Sequence, residues 1–72
     1  MDLKEKMELL ETIMELEEGE LNLEMELDGL EEWDSLSKLS LMAEVRKRMG
    51  KTISVDEIKG FVTVQDICDY LE

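Results

Sequence analysis

Leu3, Met7, Leu10 and Met14 recur at helical spacing, and Leu9, Ile13 and Leu16 widen the stripe. That pattern predicts one amphipathic helix ending before Gly19. Its last turn would hold Glu15, Glu17 and Glu18, the wrong sign for the negative end of a helix dipole, so fraying is expected there. From Glu20 to Asp34 the period changes, and Leu21, Leu23, Met25 and Leu27 alternate with polar residues. Alternation is a strand signature. No other segment alternates strongly enough to pair with it, however, and an isolated strand is not stable. The expectation is a long ordered loop pinned by those side chains, and a loop of this length in a small domain is usually functional.

The next segment is marked at both ends. Asp34 suits the N-cap of a helix whose apolar stripe is Leu36, Leu39, Met42, Ala43, Val45 and Met49. Arg46, Lys47 and Arg48 lie in its last turn, where cations complement the dipole, and Gly50 supplies a left-handed terminator. Ser54-Val55-Asp56-Glu57 fits a capping box and opens a short helical turn reaching about Lys59, stopped at Gly60. Thr63 then caps a final helix in which Val64, Ile67, Cys68 and Leu71 share one face. The predicted fold is all-α: a four-helix bundle of three main helices and one short one, with a long first loop. Residues 1–72 are expected to form a single domain, since a chain this short has no room for a second core.

Composition narrows the function. The chain has no histidine, which removes the usual general base, the commonest metal ligand and the physiological pH switch. A single Cys excludes an internal disulfide and a Cys-based zinc site. Its place on the apolar face of the last helix makes Cys68 a buried, inert thiol rather than a nucleophile. No apolar run approaches the roughly 20 residues that span a bilayer, so no membrane insertion is expected. The start, Met1-Asp2-Leu3-Lys4-Glu5, is too acidic and interrupted for a signal peptide. A cytoplasmic non-enzyme and a monomer are the expectations. The net charge of −12 repels nucleic acid. All of that imbalance lies between Met1 and Asp34, where 14 acidic residues face only Lys4 and Lys6. Added salt should therefore stabilise the fold.

Ser35 is the residue with candidate chemistry. It follows the capping Asp34 directly after the loop, where a phosphate ester would lie at the positive end of the helix dipole. The plain alternative is that its hydroxyl merely helps to cap the helix. The wider pattern bears on that choice. Trp33-Asp34-Ser35-Leu36, then Leu39 and Leu41-Met42-Ala43, then Val62-Thr63-Val64-Gln65-Asp66-Ile67 through Tyr70-Leu71, together resemble the acyl carrier protein family. The resemblance spans essentially the whole chain, and Asp34-Ser35-Leu36 matches the family's attachment motif. It implies that Ser35 receives 4′-phosphopantetheine from coenzyme A through a phosphopantetheinyl transferase, with Asp34 and Leu36 as recognition neighbours. It also implies acyl-loading and acyl-transfer enzymes as partners, with acyl groups held as thioesters on the arm.

One departure from the family stands out. Many members present acidic residues on the attachment helix, whereas here Lys38, Arg46 and Lys47 accompany Ser37, Ser40 and Arg48, and Glu44 is the one acidic residue. Complementary charge steers encounters and rejects wrong partners, which suggests a specialised carrier in a lipid or secondary-metabolite pathway. The alternative is that Arg46, Lys47 and Arg48 only complement the dipole. Family members commonly shelter acyl chains among their helices, so Leu39, Met42, Ile58 and Phe61 are candidates for such a cleft, although helical spacing favours an ordinary core role for each of them. Trp33 could orient the arm, but packing of loop against helix is the better reading.

Rival classes are weaker. Glu24, Glu26, Asp28 and Gly29 have the spacing of a calcium-binding loop, but the twelfth position is Ser35 where a bidentate Glu is needed. No specific metal site is expected, though weak divalent binding by the acidic loop fits. Ser35 has no His to activate it, so an enzyme is disfavoured. An acidic helical interaction module without a prosthetic group, and a carrier of aminoacyl groups, both remain compatible with the pattern.

Overall fold

The computed structural model describes residues 2–71; Met1, part of the N-terminal stretch read above, and Glu72 lie outside them. Among the described residues four α-helices follow in order: α1 (Leu3–Ile13), α2 (Ser35–Met49), α3 (Val55–Lys59) and α4 (Val64–Tyr70). One 3₁₀ turn, Leu27–Gly29, interrupts the long first loop. The expected all-α class and element order are observed. α1 packs against α2 and α4. The core they enclose is built from Leu10, Leu27, Leu41, Val45, Ile53, Val64, Ile67, Cys68 and Leu71, all essentially removed from solvent.

Local chemistry accounts for the helix ends. Asp2, Asp34, Ser54 and Thr63 each accept from a backbone N–H of the first turn, which would otherwise lack a partner. At α3 and α4 the bond is reciprocal, with Glu57 and Asp66 reaching back to the cap residue. Gly50 closes α2 with φ 67°, a conformation that costs a β-carbon-bearing residue about 1–2 kcal/mol.

Three expectations need correction. The first helix does not run to the residue before Gly19 but stops at Ile13, with Met14 as its cap. Glu15 takes φ 57°, while the Glu15 N–H donates to the Thr12 carbonyl at 3.2 Å and the Leu16 N–H to the Glu11 carbonyl at 2.8 Å. These two bonds make the Schellman arrangement that usually has glycine at the left-handed position. The chain turns back because the buried Glu11 carboxylate accepts from the Gly19 N–H at 2.8 Å and the Leu21 N–H at 3.5 Å, which carries Leu21 into the core.

The second correction concerns the alternating segment. It has a partner after all: Glu26 and Thr63 form an isolated antiparallel bridge. Around it the Leu27 N–H donates to the Val62 carbonyl, the Val64 N–H to the Met25 carbonyl and the Gln65 N–H to the Leu23 carbonyl, at 2.8, 3.0 and 3.1 Å. Among the described residues no strand extends beyond this bridge. The loop is therefore held by both its apolar side chains and its backbone.

Third, the apolar stripe expected on α2 is only partly its buried face. Leu36 and Leu39 are 72% and 61% exposed, and Ala43 is exposed as well. Of the expected stripe Val45 is buried and Met42 and Met49 are half-buried, and the inward face is completed by Ser37 and Leu41. Leu41, absent from the expected stripe, is fully buried.

Candidate functional site

Ser35 occupies the first position of α2, the longest helix of the fold, and is exposed. Its neighbours do the capping. The Ser37 N–H donates to Asp34 Oδ1 at 2.9 Å, and Ser37 Oγ donates to the Glu32 carbonyl at 2.5 Å. The first bond fixes the start of the helix and the second ties the end of the loop to it. Among the described residues the Ser35 hydroxyl takes no part in either bond. The Ser37 N–H also holds the Asp34 carboxyl below its ordinary value, so the group stays ionised where the dipole is positive.

Behind this corner the structure forms a groove of about 540 Å³ between the end of α1 and the start of α2. Thr12, Ile13 and Met14 lie on the α1 side, with Leu36, Ser37 and Ser40 on the α2 side. Glu15, Glu31, Glu32, Asp34 and Glu44 surround it with carboxylates. Trp33 is buried beside the corner, in the packing role expected of it, and Lys38 Nζ stands 6.0 Å from the centre of its ring.

A family model described as the phosphopantetheine attachment site matches residues 7–71. The chain belongs to this family. Comparison with curated proteins and with solved structures gave no match. A phosphopantetheine-attachment domain is a carrier and not a catalyst, and its cofactor is covalently bound 4′-phosphopantetheine. The alternative of an acidic helical module without a prosthetic group gives way to this finding.

The residues of this carrier domain fit the group. A phosphodiester needs an accessible hydroxyl on a rigid base and a favourable field for its charge. The start of α2 supplies an exposed primary hydroxyl, backbone N–H groups of the first turn and the positive end of a 15-residue helix dipole. When bound, the arm supplies a terminal thiol for thioester chemistry. This chain's own residues contribute only the anchor and its orientation.

The other predicted positions are dispersed. Arg46 and Lys47 are exposed near the far end of α2, while Lys38 is half-buried against Trp33 and so is not placed with them. Arg48 pairs with Glu44 at 2.9 Å, an interaction that lowers the Glu44 pKa. The four residues expected to line an acyl cleft do not come together as one. Leu39 faces solvent, Ile58 is buried in the core, and Phe61 stacks edge-on against Tyr70 at 5.8 Å between ring centres. Met42 borders a cleft of about 190 Å³ shared with Ala43, Arg46, Thr52 and Ile53. Helical spacing could not foretell this, because it ranks positions by face and does not say which face a neighbouring helix will cover. Cys68 is buried, with its Sγ 3.9 Å from Met7 Sδ, and burial pushes its thiol pKa up. Among the described residues no cluster of three or more His, Cys, Asp or Glu side chains could hold a metal ion, and no helix is long and apolar enough to cross a membrane.

Sequence reasoning missed two contributors. Ser37 is 5% exposed and links cap and loop, yet it was read only as part of the helix surface. A signal was present, because a residue three after a capping Asp is where the cap bond lands. The Glu11 clasp on Gly19 and Leu21 had no such signal.

Proposed function

We propose that Ser35 is the residue that takes the 4′-phosphopantetheine, and that the chain works as a single-domain, monomeric carrier in the cytoplasm. Transfer would join Ser35 Oγ to the pantetheine phosphorus of coenzyme A, with adenosine 3′,5′-bisphosphate leaving, while Asp34 and Leu36 present the serine to a phosphopantetheinyl transferase. The arm would then hold acyl groups as thioesters and move them between loading and transfer enzymes of a specialised lipid or secondary-metabolite pathway. Arg46 and Lys47 are proposed to bear on partner choice, with Lys38 held apart from them over the Trp33 ring, and the cleft bordered by Met42 to receive part of a short acyl chain.

The supporting observation is the division of labour at the start of α2. Asp34 makes the cap and Ser37 ties down the loop, which leaves the exposed Ser35 hydroxyl with no structural task. The test is the intact mass after incubation with coenzyme A and a broad-specificity transferase, with Ser35→Ala in parallel. Gain of one phosphopantetheine in the wild type and none in the variant is expected. Because the Ser35 hydroxyl is not part of the cap, the variant should fold with a stability change within about 0.5 kcal/mol. Gain by the variant would move the attachment elsewhere.

A further inference from the structure

The outward face of α2 combines two features that the fold itself does not require. Ser35, Leu39 and Arg46 fall on one line along the helix, and Leu36, Ala43 and Lys47 on the line beside it, by their spacing at 3.6 residues per turn. All six are exposed. Leu36 and Leu39 are the two most exposed large apolar residues described. No carboxylate of α2 itself lies on these two lines, since Glu44 lies around the helix and pairs with Arg48; the carboxylates of the groove gather at the serine end, beside Leu36, away from Arg46 and Lys47. On a chain of net charge −12 this makes a local reversal of sign, with two leucines between the serine and the cations.

We propose that this face, from Ser35 through Leu36, Leu39 and Ala43 to Arg46 and Lys47, docks partner enzymes that offer carboxylates at the rim of an apolar hollow. The inference rests on the carrier reading and specifies the partner surface that goes with it. Eleven residues of helix rise put the cations about 16 Å along the axis from the serine. The partner's carboxylates would sit that far from its active-site mouth. Lys38 is not part of the surface, because its ammonium is over the Trp33 ring.

Charge favours a protein partner over an anionic lipid surface. A membrane extends its negative field across the whole 27 × 23 × 19 Å body, so the acidic residues of the first half oppose approach. A protein patch meets one face, and at physiological salt charges beyond about 8 Å are largely screened. Association with an acidic partner should consequently speed up as salt rises from low to physiological values, then slow as the close ion pairs are screened in turn. Complementing the dipole accounts for cations in the last turn of α2, but not for the exposed leucines.

The test uses one phosphopantetheinyl transferase whose carrier-docking surface is basic, and a form of it with those basic residues changed to Glu. Both forms are confirmed active on a carrier with an acidic second helix. Transfer efficiency, kcat/KM, is measured for the wild type, for the double variant Arg46→Glu/Lys47→Glu, and for Leu39→Ala. The wild type should favour the acidic form at least tenfold and the double variant should invert that preference. Leu39→Ala should raise KM with both forms and keep the ratio. Any folding loss in a variant cancels within its own ratio. Transfer with equal ratios for wild type and double variant overturns the docking face alone. No transfer to Ser35 by either form overturns the carrier reading together with it. Co-sedimentation of the wild type with phosphatidylglycerol vesicles, lost in the double variant, overturns the assignment to a protein partner.

Discussion

Replacing Glu15 by Gly should stabilise this protein. Glu15 is the left-handed residue that ends α1, at φ 57°, and its N–H and that of Leu16 close the two bonds of a Schellman motif. Holding a β-carbon-bearing residue there costs about 1–2 kcal/mol. Glycine removes this cost but gives back about 0.4–1 kcal/mol through the greater freedom of the unfolded chain. Taking a negative charge away from a helix C-terminus adds at least about 0.3 kcal/mol at an exposed position. The last turn of α1 holds no basic residue to offset it. The net expectation is a gain of about 1 kcal/mol, or a Tm higher by about 4–8 °C for a domain this small. Thermal unfolding followed by helix dichroism and by the fluorescence of Trp33, the one tryptophan, would measure it. Glu15→Lys separates the two contributions, because it corrects the charge and keeps the backbone cost. It should give a smaller gain that fades in high salt. If Glu15→Lys stabilised as much as Glu15→Gly, or if the glycine variant were neutral, the argument from backbone strain would be wrong.

Other expectations concern packing, pH and the thiol. Leu41→Ala should cost about 3–5 kcal/mol by opening a cavity in the core, whereas Leu39→Ala should stay within about 0.5 kcal/mol; similar losses in urea titrations would contradict the outward orientation of Leu39. The carboxyls of Asp34, Glu44 and Asp66 are held below their ordinary values by the Ser37 N–H, by Arg48, and by the Val62 and Thr63 N–H groups respectively. Groups with lowered folded pKa values contribute stability above their unfolded values, 3.8 for Asp and 4.5 for Glu, and lose it as pH falls through the folded ones. Stability should therefore drop as pH is taken from 5 to 2, and Asp34→Asn should flatten that slope; a rise on acidification would show repulsion among the N-terminal carboxylates to be the stronger effect. Cys68, buried and with its pKa raised by burial, should react with a thiol reagent only as the protein opens, so full labelling of the folded protein within seconds would refute its placement.

The parts of this protein that could be read from its sequence are those set within one turn of chain. Asp34, Ser54 and Thr63 bond N–H groups three residues away, and Gly50 answers a demand of its own backbone, so helix starts and the end of α2 follow from residue type and spacing. The place of Ser35 at the first position of α2 is equally local, and the candidate site was legible for that reason. The last helix was read correctly because Val64, Ile67, Cys68 and Leu71 make one apolar stripe with no competitor.

Tertiary structure decided whatever depended on distant partners. Helix α2 carries two apolar faces, one through Leu36, Leu39 and Ala43 and one through Leu41 and Val45. The packing of α1 against α2 is accompanied by burial of the second face and exposure of the first. The early end of α1 depends on the Glu11 carboxylate meeting N–H groups eight and ten residues on. The loop around Glu26 is held by carbonyl and N–H groups of residues 62–65, which no periodicity within the loop encodes. Capping energies act between near neighbours and leave a mark in local sequence. Burial energy is non-directional and goes to whichever apolar faces the assembled chain brings together.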